Sequence, residues 1–107
     1  MKKQLRFLLT LILVLFFSFF IFGFIDYNRF MDGKIPIFII NKDILNDGGT
    51  TIYYGVGYQL IDWKIIDSEE IIKIKYKVGK ELHVLRYINP LTDKPNVELE
   101  IVEEYYE

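Results

Sequence analysis

The chain begins with an apolar block and then changes period. Lys2, Lys3 and Arg6 precede an unbroken apolar run from Phe7 to Ile25, in which only Thr10 and Ser18 carry polar side chains. As a helix rising about 1.5 Å per residue, this run would span roughly 28 Å, close to the hydrocarbon thickness of a bilayer. Its seven phenylalanines cover every face of such a helix, and a small soluble domain has no core to bury them. The spacing therefore predicts a membrane-spanning helix over 7–25, with 1–6 before it and a juxtamembrane linker over 26–34.

Beyond the linker the pattern shortens to strand-like runs punctuated by turn formers. KIPIFII (34–40) reads as a first strand, with Pro36 suited to an edge. NKDILNDGG (41–49) is dense in turn residues. TTIYY (50–54) resumes a strand, Gly55-Val56-Gly57 breaks it, and YQLIDWKII (58–66) is a third. Ile72, Ile74, Tyr76 and Val78 then alternate with Lys73, Lys75 and Lys77, the period-two signature of a half-buried strand. Gly79-Lys80 reads as a hairpin turn, and 81–88 as the return strand. Asn89-Pro90 and Pro95-Asn96 bracket a loop, after which Val97, Leu99 and Ile101 alternate with Glu98 and Glu100. Glu103 to Glu107 form an acidic, aromatic tail expected to fray. Should 72–78 and 97–102 be neighbours, Lys73, Lys75 and Lys77 would oppose Glu98 and Glu100. The competing expectation is two solvated faces kept apart by the strand 81–88.

The predicted fold class is an N-terminal single transmembrane α-helix followed by a small β-rich antiparallel domain, all-β or α+β, over 35–107. Composition supports the β assignment: there are seventeen isoleucines and no alanine.

The same composition bears on the fate of the N-terminus. A cleaved signal needs a shorter apolar core and a small-residue cleavage site. Here the run is long and the chain lacks alanine, so an uncleaved anchor is favoured over a cleaved signal. There is no cysteine either, which excludes lipidation at a Cys and any disulfide. Charge sets the orientation. Lys2, Lys3 and Arg6 give +3 before the helix, whereas Asp26, Arg29, Asp32 and Lys34 after it cancel. The positive-inside rule then predicts a cytoplasmic N-terminus and a C-terminal part outside the cell membrane. Asp26, Tyr27 and Asn28 read as the interfacial exit. The helix lacks intramembrane charge and any small-xxx-small pattern, so it reads as a plain anchor.

Residues 26–107 carry ten Lys/Arg against fifteen Asp/Glu, a net charge of −5. A net acidic domain without a basic cluster argues against nucleic acid as a partner. Catalytic equipment is sparse. His83 is the only histidine, and Ser68 is the only serine beyond the helix and lacks a Gly-x-Ser-x-Gly setting. One histidine and no cysteine make zinc improbable. Asn41, Asp43 and Asp47 approach calcium-loop spacing, but Leu45 occupies a ligand position and no glutamate closes the loop. Asp62, Asp67, Glu69 and Glu70 supply carboxylates that nothing pairs. No cofactor and no enzymatic activity are expected.

One cluster remains. Asp47-Gly48-Gly49-Thr50, then Tyr53-Tyr54-Gly55-Val56-Gly57-Tyr58, with Pro36-Ile37-Phe38 upstream, resembles uncharacterised small membrane-anchored proteins of low-GC Gram-positive bacteria. The resemblance covers roughly residues 1–66 and implies the layout and a bacterial host, without an activity. On its own chemistry the segment has two readings. Gly55 and Gly57 fall on one side of an extended strand, which suits a bulge or a tight hairpin. The other reading is a contact surface for a peptide or glycan, built from Tyr53, Tyr54, Gly55, Gly57, Tyr58 and Trp63. The expected partners are the lipid bilayer and a cell-surface or membrane protein. The expected role is a non-enzymatic interaction or accessory module. The alternative is a small regulator whose helix docks on a larger membrane protein.

Overall fold

In the computed structural model, which describes residues 2–106, the apolar run lies within one helix, α1 (Lys2–Met31). Met1 of the N-terminal segment and Glu107 of the acidic tail lie outside the described residues. At about 1.5 Å per residue, thirty residues reach about 45 Å. The helix runs past Ile25 to Met31, so much of the stretch expected as linker is helical. Its end has a defined cap. Gly33 adopts φ +78°, its N–H donates to the Phe30 carbonyl at 3.1 Å, and the Lys34 N–H donates to the Arg29 carbonyl at 2.8 Å. This Schellman arrangement satisfies carbonyls that the helix end would otherwise leave open.

The chain divides into two compact units, one ending at Phe38 and the other beginning at Ile39. The first is the helix and its return segment. KIPIFII forms no strand. The Ile37 and Phe38 N–H groups donate to the Asp26 carboxylate, at 2.6 Å and 2.9 Å respectively, and Pro36 has no N–H to give. These two backbone donors, which a ladder would need, are therefore committed to the helix, whereas at the end of the segment the Ile40 N–H donates to the Tyr54 carbonyl at 2.7 Å.

The second unit is an antiparallel meander of five strands, in sheet order β1-β2-β3-β4-β5. These are β1 (Asn41–Ile44), β2 (Thr51–Tyr54), β3 (Tyr58–Glu69), β4 (Lys73–Val84) and β5 (Glu100–Tyr105). The predicted fold class holds: one apolar helix, then a small antiparallel β domain.

Several boundaries differ from expectation, each for a physical reason. Asn41–Ile44, expected as turn, pairs with β2 from Asn41↔Tyr54 to Ile44↔Thr51, and the turn is confined to Asn46–Gly48. β4 runs straight through Gly79-Lys80, so 79–80 is not a hairpin turn and 81–84 belong to the same strand. Gly79 stands opposite Trp63, and a Cβ there would lie 2.5 Å from Leu99 Cδ2. The glycine clears space for close packing rather than turning the chain.

Because β4 is unbroken, β5 pairs directly with its first half, from Lys73↔Tyr105 to Val78↔Glu100. The Lys-faced strand and the C-terminal strand are thus neighbours, but in a shifted register. Glu103, rather than Glu98 or Glu100, meets Lys73 at 3.2 Å and Lys75 at 3.9 Å, while Lys77 pairs with Asp67 at 3.5 Å. The tail expected to fray supplies the paired acid.

The core lies on one face of the sheet. Ile52, Ile61 and Trp63 are buried, with Leu45, Tyr54 and Ile65 packed around them. Segment 85–99 crosses this face as a strap, contributing Ile88, Val97 and Leu99. By strand alternation Tyr53, Tyr58, Leu60 and Tyr76 lie on the opposite face, and all four are buried.

Candidate functional site

The DGGT segment shapes the β1–β2 connection. Gly48 has φ +130° and Gly49 φ +115°, conformations L-residues rarely adopt, and a Cβ on Gly48 would lie 2.8 Å from the Lys64 carbonyl oxygen. This turn presents Asp47 to Thr50: the Thr50 N–H donates to Asp47 Oδ1 at 3.0 Å, and its hydroxyl donates to Oδ2 at 2.7 Å. The same hydroxyl accepts the Lys64 N–H at 3.0 Å. Thr50 is fully buried, so its hydroxyl stands in for a ladder carbonyl where β2 has not yet begun. The Ile66 N–H donates to the Asp47 carbonyl at 2.8 Å. DGGT is a clamp between the first turn and β3.

The YYGVGY segment is the β2–β3 hairpin. The Gly55 N–H donates to the Tyr58 carbonyl at 2.9 Å, and Gly57 supplies φ +80°. The Tyr58 ring lies against Gly55 so closely that any Cβ there would overlap it. Tyr87 O–H donates to the Gly55 carbonyl at 2.8 Å, and its ring leans on Tyr54 at 5.8 Å between centroids. The Leu85 N–H closes onto the Gly57 carbonyl at 2.8 Å, holding Leu85 at φ +64° with its side chain open to solvent.

The residues read as a contact surface are therefore divided. Tyr53 and Tyr58 lie on one face of the sheet, and Tyr54 and Trp63 lie on the other. Tyr53, Gly55, Tyr58 and Trp63 are buried, Trp63 at 1% exposure. Tyr54 and Gly57 are half-buried, and only Val56 between them is exposed. Most of the aromatics in this segment build the sheet.

A polar cluster that sequence reasoning missed sits under the strap. The Glu81 carboxylate is 5% exposed. Its Oε1 accepts the Trp63 indole N–H at 3.1 Å and the Asn96 backbone N–H at 2.8 Å, and Oε2 meets His83 Nε2. Burial pushes this carboxyl up, but the hydrogen bonds from His83, Asn96 and Trp63 together outweigh it and hold it below the usual glutamate range. Beside it Gln59, fully buried, donates to the Ile88 carbonyl at 2.8 Å and accepts the Ile88 N–H at 3.0 Å. Glu81 and Gln59 thus bind the strap at two points. The only hint in the sequence was the Glu81/His83 spacing, which puts both on one face of a strand.

Among the described residues, no group of three His, Cys, Asp or Glu is arranged to hold a metal ion. A scan against family models and searches of curated proteins and of solved structures return no match to this chain.

Proposed function

We propose that this chain is a single-pass protein of the cell membrane, N-terminus inside and β domain outside. It acts there as a non-enzymatic interaction or accessory module. The observation carrying this reading is the helix surface. Apart from Thr10 and Ser18, every side chain from Phe7 to Ile21 is a large hydrophobic, between 43% (Phe19) and 72% (Phe7) exposed. The helix is long and apolar enough to cross a membrane. A lipid environment accepts such a surface, whereas water does not. The +3 charge ahead of the run supports the orientation. The DGGT…YYGxGY likeness supports a low-GC Gram-positive host.

Within the segment 53–63, the accessible part is the hairpin tip: Tyr54, Val56 and Gly57, joined by Tyr87. This tip is the surface assigned to a protein partner. Photo-cross-linking in intact membranes tests it, with a photoreactive residue at Val56 in one variant and at Leu13 in another. A protein adduct at Val56 supports the module. An adduct to a membrane protein at Leu13 alone would favour the second reading, a regulator acting through its helix.

A further inference from the structure

We propose that residues 34–38 form a collar lying in the lipid interface, a second bilayer contact beside the helix. The proposal rests on the reading that α1 spans the bilayer. Asp26 directly follows the apolar run, where a carboxylate would be expected to mark water. It is instead fully buried, and its two oxygens accept the Ile37 and Phe38 N–H groups. Internal satisfaction of this kind is what a polar group needs at the edge of the hydrocarbon.

The collar is set at the depth of the apolar run itself. The Phe38 ring stacks on Phe22, inside the run, with centroids 4.3 Å apart and planes 19° off parallel. From Asp26 to Met31 the helix climbs about 7.5 Å. That matches the headgroup layer, roughly 5–7 Å per side once the ~30 Å core is taken from a ~40–45 Å bilayer. The chain turns at Gly33 and comes back down through this layer to the level of Phe22.

On that return, Ile35 is 64% exposed and Ile37 57% exposed, although Pro36 between them is buried. Flanking Pro36 on a segment whose Phe38 stacks on the apolar run, the two open isoleucines meet acyl chains when the segment lies in the interface. The basic side chains fit the same depth. Arg29 Nε donates to the Ile35 carbonyl at 3.0 Å, and Lys34 is exposed at the top of the return, where a lipid phosphate attracts it. The occupant is therefore lipid, and the segment that looked like an edge strand is an interfacial anchor.

The chain has no cysteine, so single-cysteine variants carry one environment-sensitive fluorophore each. The labelled positions are Ile12→Cys in the helix and Ile35→Cys and Ile37→Cys in the collar, each read against the same variant in vesicles without nitroxide lipid. The full chain is reconstituted in phosphatidylethanolamine–phosphatidylglycerol vesicles carrying nitroxide lipids, either at the headgroup or deep in the acyl chain. The expected result is loss of emission at positions 35 and 37 with the headgroup nitroxide and at position 12 with the deep one. If 35 and 37 keep their nitroxide-free emission while 12 is quenched, the collar is overturned and the anchor stands. If 12 is also unquenched, the membrane reading fails and the collar with it.

Discussion

Replacing Glu81 tests how the strap is held on the sheet. Glu81→Leu strands two buried donors, the Trp63 indole N–H and the Asn96 N–H, and removes the partner of His83. An orphaned buried donor costs about 1–3 kcal/mol, so the pair amounts to about 2–6 kcal/mol. Part is recovered because an apolar side chain has no charge to desolvate, and a net loss of about 3 kcal/mol is expected. Glu81→Gln keeps an acceptor for both donors at Oε1 and loses the charge, for about 1 kcal/mol. Against a total of about 5–10 kcal/mol for a small domain, these two steps are well separated. Trp63, the only tryptophan, is 1% exposed beneath the strap and reports the transition directly. The assay is denaturant unfolding of the full chain in detergent micelles, followed by Trp63 emission. The pH dependence carries the same signature. Because the folded-state pKa of Glu81 is depressed, its contribution is present above the ordinary glutamate value and lost as pH falls through the folded one. Glu81→Gln should therefore flatten the acid limb of the stability curve. A Leu variant within about 0.5 kcal/mol of the parent would refute the strap assignment, since that is the scatter of surface substitutions.

Five further substitutions, at four positions, probe the two glycine-bearing connections and the start of the strap by the same unfolding assay. Gly55→Ala forces the Tyr58 ring off its seat and should cost about 3 kcal/mol, whereas Gly57→Ala only strains a φ of +80° and should cost about 1 kcal/mol; the reverse order would contradict the hairpin packing. Thr50→Val orphans the Lys64 N–H and should cost about 1–3 kcal/mol, while Thr50→Ser should recover most of it; equal losses would point to packing rather than to the hydroxyl. Leu85→Gly relieves a left-handed conformation at an exposed side chain, so stability should rise by up to about 1 kcal/mol, and a fall would mean that the leucine packs in a way its exposure does not show.

The parts legible from the chain were those governed by local pattern. The nineteen-residue apolar run gave the helix. The alternation over 72–78 gave β4, and Gly55-Val56-Gly57 gave the β2–β3 turn. The errors arose where a long-range partner overrode the local signal. KIPIFII has strand composition, but Asp26, more than ten residues upstream, takes its backbone donors. Gly79 carries a turn residue's signal, yet the packing of Leu99 explains it. That single misreading inserted a false strand, which made the true β4–β5 pairing look unlikely to form. The aromatic cluster from Tyr53 to Trp63 read equally well as a surface or as a core. Strand alternation already sends Tyr58 and Trp63 to opposite faces; what separates the readings is that both faces are covered, and that is a long-range property. The Glu81 cluster was illegible because Asn96 reaches it from a loop with no periodic signal.

A bilayer anchor with the β domain outside, as proposed, is tested most directly by cysteine accessibility in intact cells. Lys3→Cys and Lys94→Cys place single thiols at exposed positions on either side of the apolar run, in a chain that otherwise has none. The chain should stay with the membrane after an alkaline wash. A membrane-impermeant maleimide should label position 94 in intact cells and position 3 only after permeabilisation. Release by the wash, or labelling of position 3 but not 94 in intact cells, would contradict it.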